Sequence, residues 1–111
     1  MADIEIEPVD GTVVARAGGA VIAETTAALV LREPGYAPVH YFPRADAIAF
    51  CDPSDKRTTC PHKGAARYFH ITTKSGPILD AAWSYEEPIA AVAAIAGYIA
   101  FGHDRVAVEI L

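Results

Sequence analysis

IEIEPVDGTVVARAGGAVIAET, residues 4–25, alternates branched apolar residues with charge and is broken twice at glycine. Ile4 and Ile6 alternate with Asp3, Glu5 and Glu7, the period-two pattern of a strand that turns one face to a core. Asp10-Gly11 reads as a hairpin-type turn, residues 12–17 as a second strand, and Gly18-Gly19 as the turn into a third over 20–25. This start predicts a meander. Residues 28–32 continue it until Glu33-Pro34-Gly35 breaks the ladder.

Downstream, residues 39–42 form another extended run, cut by Pro43, and 45–50 resume as a strand with Ile48 and Phe50 on one face. Asp52-Pro53-Ser54-Asp55 is a polar turn. Within residues 58–70, Pro61 and Gly64 oppose regular structure, and a strand returns at 67–72. After a turn at 74–77, residues 78–85 form a strand that carries the single Trp. One helix is expected next: Pro88 suits its first position, Glu86 and Glu87 favour its positive end, and Ile89, Val92, Ala93 and Ala96 recur at helical spacing before Gly97 stops it. Residues 98–101 and 106–110 are closing strands. About nine short strands and one short helix predict a mainly β fold, a single-domain antiparallel tent-like or barrel-like sheet over residues 1–111.

Composition sets the outer limits. A chain of 111 residues, 52% hydrophobic and 21% charged, is long enough for one core and is globular in character. Its formal charge of -5 repels polyanions at long range, so no nucleic acid duplex is expected as a partner. A local anion site survives that background, because Lys56, Arg57, Lys63 and Arg67 lie close together. The first ten residues lack a basic start and an apolar run, and no segment reaches the ~20 apolar residues of a membrane span. A cytoplasmic protein with no membrane partner and with Cys51 and Cys60 as reduced thiols is the resulting expectation.

Residues 58–70, TTCPHKGAARYFH, concentrate the chemistry: a thiol, two imidazoles, an ammonium, a guanidinium and a phenol. Paired metal-ligand knuckles are missing, since Cys60-x-His62 is not the spacing structural zinc uses, and neither a metal nor a cofactor is expected. Asp52 and Asp55 read as turn residues and Glu86-Glu87 as helix-start chemistry, which leaves metal-dependent nucleotidyl transfer without its carboxylates. Cys60 is the candidate catalytic thiol, with Lys63, Arg67, His62 or His70 to activate it; its plainer reading is a small hydrophobe pinning a turn. Arg44, Lys63 and Arg67 are candidate anion contacts, Gly64 allows a close backbone approach, and Tyr41, Tyr68, Trp83, Tyr85 and Tyr98 offer flat walls.

Four segments carry a family resemblance: Tyr41-Phe42-Pro43-Arg44-x-Asp46, Thr59-Cys60-Pro61-His62-Lys63-Gly64-x-Ala66-x-Tyr68, Ala82-Trp83-Ser84-Tyr85-x-x-Pro88 and Gly97-Tyr98-Ile99-Ala100-Phe101. In order and spacing they resemble the DUF427 family over roughly residues 3 to 110. The match includes Glu33 and Tyr85; His62 stands where an aromatic is expected, and Phe69-His70 where a Trp-Ser pair is common. The resemblance implies a small all-β tent or barrel of the kind zinc-knuckle proteins use, here without knuckle cysteines. It also carries a nucleotidyltransferase label, which the missing carboxylates do not support.

Three functional readings stay open. The first is a domain that binds a small, anionic ligand beside the Cys60-Pro61-His62-Lys63-Gly64 loop. There Lys63 and Arg44 hold negative charge, Glu33 orients one of them or accepts from the ligand, and Tyr41, Tyr68 and Trp83 form walls. The second is an enzyme using Cys60 as nucleophile or redox thiol. The third is an interaction module, with strands such as 20–25 supporting a homo-oligomer.

Overall fold

Ten strands account for most of the chain in a computed structural model that describes residues 3–111; the first two residues of the expected 1–111 domain lie outside it. The strands are β1 (Glu5–Pro8), β2 (Val13–Ala17), β3 (Ala20–Thr25), β4 (Leu29–Arg32), β5 (Val39–Tyr41), β6 (Cys51–Cys60), β7 (Gly64–Thr73), β8 (Gly76–Ser84), β9 (Ala100–Phe101) and β10 (Val106–Ile110). They form three antiparallel sheets ordered β1-β4-β5, β10-β2-β3 and β6-β7-β8-β9, and none closes into a barrel. One short α-helix, α1 (Arg44–Ala47), completes the mainly β fold. Among the described residues, no helix is long and apolar enough to cross a membrane.

The Gly18-Gly19 turn is where the sequence puts it: Ala17 faces Ala20 across a two-residue hairpin. Asp10-Gly11 is not a hairpin. β1 leaves the meander to pair with β4, and Val9 N donates to Ala28 O at 2.9 Å to extend that ladder, while β2 pairs instead with β3 and β10. A local turn signal is here overridden by pairing between strands distant in sequence.

Residues 45–50 are not a strand. Pro43 precedes α1, Asp46 N donates to Pro43 O at 3.0 Å, and Thr25 Oγ1 donates to Asp46 Oδ2 at 2.8 Å. Those bonds favour a turn of helix in an alanine-rich run, followed by a 3-10 turn at Ile48–Phe50 that leaves Phe50 exposed. The helix expected after Pro88 is instead a 3-10 segment, Ala90–Ile95, kinked at Val92. Val92 and Ile95 are both fully buried there, the three-residue repeat of a 3-10 turn rather than the wider stripe of an α-helix.

Residues 52–55 also differ from expectation. β6 runs straight through them, with a register shift between Pro53 and Arg57. Pro53 is tolerated because β6 is the outer strand of its sheet. Pro61 and Gly64 do not break the 58–70 stretch; they bracket a tight β6–β7 hairpin in which Cys60 faces Gly64 and Lys63 N donates to Cys60 O at 3.1 Å.

Alternation along β7 divides the core. Phe69 and Ile71 enter one cluster with Val13, Ile22, Phe42 and Ile78, whereas Ala66 and Tyr68 enter a second with Leu31, Tyr41, Tyr85, Val92 and Ile95. The second cluster carries the candidate chemistry.

Candidate functional site

Two chain reversals build the site. β4 ends in the turn that carries Glu33, where Tyr36 N donates to Glu33 O at 3.0 Å, and the β6–β7 hairpin supplies Cys60 and Lys63. Lys63 Nζ donates to Glu33 Oε1 at 2.7 Å, with the two side chains only 13% and 8% exposed. The same ammonium lies 3.6 Å from Cys60 Sγ and donates to it. Burial works against the Lys63 charge, but the hydrogen bond to Glu33, together with negative charge at Cys60, Glu33 and Tyr85, outweighs it and holds the pKa above the ordinary lysine value.

The pair opens on a hollow of about 330 Å³. Its walls are Leu31, Ala37, Val39 and Pro61, with Tyr36 and His62 at the lip. Tyr36, 73% exposed, has no role in the sequence reading; the available signal is an aromatic directly after a Pro-Gly turn.

Behind the ion pair stands an aromatic layer. Trp83 Nε1 donates to Tyr41 Oη at 3.4 Å, and the Tyr68 and Trp83 ring centroids are 6.2 Å apart. Burial pushes the Tyr41 phenol up to about 12; the Trp83 hydrogen bond opposes this, and negative charge at Cys60, Tyr68 and Glu33 adds to it. Tyr85 is likewise pushed up to about 12 by burial and Tyr41, with Lys63 pulling the other way. Tyr41, Tyr68 and Trp83 thus back the charged pair and do not line the hollow, which differs from their expected place as its walls.

Arg44 is not with them. It bonds Glu86 Oε2 at 3.0 Å and Gly97 O at 3.3 Å, and its guanidinium sits 5.6 Å from the Phe69 ring centroid. Arg67 reaches the other Glu86 oxygen at 3.6 Å and lies 5.1 Å from the same ring. Because Phe69 and Tyr68 point to opposite faces of β7, the structure separates Arg44 and Arg67 from Lys63 and forms two basic clusters instead of one. The Arg67 cluster has its own hollow of about 290 Å³ with Arg57, Ala65 and Glu87.

Gly64 does give a close approach, though to its own chain. At φ +117, an added Cβ would lie 3.4 Å from Pro88 Cα, and Ile89 N donates to Lys63 O at 2.9 Å. The residues 87–89 therefore fasten the hairpin that holds the ammonium. Neither histidine is hydrogen-bonded to the Cys60 sulfur: His62 lines the hollow, and His70 Nδ1 accepts from Asp80 N at 3.0 Å. Cys51 is remote, its thiol donating to Ala47 O at 3.2 Å and pushed up to about 11 by burial.

A further cluster escaped the sequence reading. Ser54 Oγ donates to Asp80 Oδ1, and Asp80 adopts φ 52, the one positive φ outside glycine among the described residues. Its place beside the register shifts of β6 and β7 leaves no local sequence signal. Among the described residues, no three His, Cys, Asp or Glu side chains converge as metal ligands.

No curated protein matches the chain. The profile described as a domain of unknown function, DUF427, matches residues 5–111, and the chain belongs to that family.

Proposed function

We propose that the hollow beside Glu33 and Lys63 binds a small organic carboxylate. The observation that carries this reading is the 2.7 Å ion pair withdrawn from water in the wall of an otherwise largely apolar hollow. Two apolar side chains would hold that place at less desolvation cost, so the pair is more than a fastening. An ammonium has three donors. One meets Glu33 and one meets Cys60, which leaves a third for a ligand oxygen. A doubly charged phosphate would confront the Glu33 carboxylate with a single ammonium to offset both. A monocarboxylate leaves one negative charge in excess where such a phosphate leaves two, and Leu31, Ala37, Val39 and Pro61 suit an apolar body. The volume of about 330 Å³ belongs to the small end of ligand sites.

The test is a thermal-shift panel of short-chain and aromatic carboxylates, sugar phosphates and nucleotides. Carboxylates raise the wild-type Tm, since a ligand at a hundred times its Kd adds about 2.7 kcal/mol. The rise disappears in a Lys63→Met, Glu33→Met double variant and persists in Arg44→Ala, whose side chain belongs to the other cluster. Equal shifts in wild type and the double variant would sink the reading.

A second reading, an enzyme using the Cys60 thiol, draws support from the Lys63 ammonium 3.6 Å from its sulfur. Alkylation of Cys60 at pH 6 no faster than that of a free thiol removes it.

A further inference from the structure

We propose that Cys60 and Lys63 form a reversible covalent nitrogen–sulfur link when a hydroperoxide oxidises the thiol. Three observations lead there. The Lys63 nitrogen stands 3.6 Å from the Cys60 sulfur, already directed at it as a hydrogen-bond donor. Glu33 lies 2.7 Å from the same nitrogen, placed to take its proton. The hairpin fixes both residues, through Lys63 N to Cys60 O at 3.1 Å and Ile89 N to Lys63 O at 2.9 Å, so that little backbone movement separates contact from bond. Cys60 is half-buried beside a hollow wide enough to admit peroxide.

The chemistry balances with one equivalent of oxidant. Hydrogen peroxide transfers an oxygen to the thiol, giving a sulfenic acid and one water. The Lys63 ammonium passes a proton to the Glu33 carboxylate, and the freed lone pair attacks sulfur. The S–O bond breaks, the departing hydroxide takes the second nitrogen proton as water, and Glu33 later releases its proton to solvent. In sum, thiol, ammonium and peroxide become a sulfenamide, two waters and a proton. The sulfur is oxidised and the peroxide oxygens are reduced. A thiol reductant reverses the link by attacking sulfur and expelling the amine. The link removes both the Lys63 charge and the Cys60 thiol, and so switches off whatever the hollow does with them.

Trypsin reads the result directly. In untreated protein it cleaves after Arg57, Lys63 and Arg67, releasing residues 58–63 and 64–67 as separate peptides. Folded protein treated with hydrogen peroxide is expected to resist cleavage at Lys63 and to yield residues 58–67 as one peptide two hydrogens lighter than the reduced form. Dithiothreitol restores the cleavage. Cys60→Ser and Lys63→Arg give no such peptide, and Glu33→Gln slows its appearance at least several-fold. Intact cleavage at Lys63 with Cys60 recovered as sulfinic acid would overturn the proposal. So would equal link formation in protein unfolded in urea, because the sequence neighbours alone would then suffice. A product that also retains one oxygen would overturn the direct nitrogen–sulfur bond. None of these readouts depends on a carboxylate ligand, so the two proposals fail separately.

Discussion

Lys63 and Glu33, thirty positions apart, share a 2.7 Å hydrogen bond behind a surface that leaves each side chain almost wholly covered. Each charge depends on the other. Removing one partner strands a nearly buried charge, and Glu33→Met or Lys63→Met should each cost about 3 kcal/mol, whereas replacing both with methionine should cost much less than the sum. Urea denaturation of the four proteins checks this. Additive single costs would show that the two groups are not coupled.

Alkaline pH should weaken the fold through the same region. The Tyr41 and Tyr85 phenols are raised to about 12 from an ordinary value of 10.0, so between those values the unfolded chain loses protons that the folded one keeps. Stability therefore falls as pH rises from 10, by up to about 1.4 kcal/mol per pH unit for each group, and levels off above 12. Lys63, also raised, acts in the same direction: its contribution is complete below the ordinary lysine pKa and is lost as pH climbs through the folded one. Urea midpoints measured across this range should decline in the wild type and decline less in Tyr41→Phe and Tyr85→Phe. A flat profile would contradict the burial argument.

Gly102 makes room for the Trp83 ring. A Cβ at Gly102 would stand 2.6 Å from Trp83 Cζ3 and 2.8 Å from Cη2. Gly102→Ala should cost about 1–3 kcal/mol and shift the tryptophan emission, and Trp83→Phe should recover most of the loss by shrinking the ring. Thermal melts of the two single variants and the double variant decide it; a Gly102→Ala protein as stable as wild type contradicts the packing.

The two thiols should differ in reactivity. Cys51, pushed up to about 11 by burial and donating to Ala47 O, should be a thiolate to only about one part in a thousand at pH 8. Iodoacetamide labelling followed by peptide mass analysis should find Cys51 alkylated far more slowly than a free thiol. Labelling of Cys51 at the free-thiol rate would refute its burial.

Much of the fold is written in local pattern, and the exceptions share a cause. The Gly18-Gly19 hairpin and the strands around it follow from alternation and turn chemistry, which act over a few residues. Residues 45–50 read as a strand because Ile48 and Phe50 alternate, yet Asp46 meets Thr25, a partner twenty-one positions away that no window over 45–50 contains. In the site, Cys60 and Lys63 are legible because one hairpin carries both. Glu33 enters only through the family resemblance, since its tie to Lys63 crosses between sheets. Arg44 shares charge and a family motif with Lys63, but neither says which side of β7 a residue faces.

The run from Glu86 to Ile89 works as a strap across the molecule. One end grips Arg44 and Arg67; the other, three residues on, carries the backbone of Lys63. Gly64, lying flush against Pro88, leaves no slack between them. The two basic clusters are thus separate in space yet share a single tether.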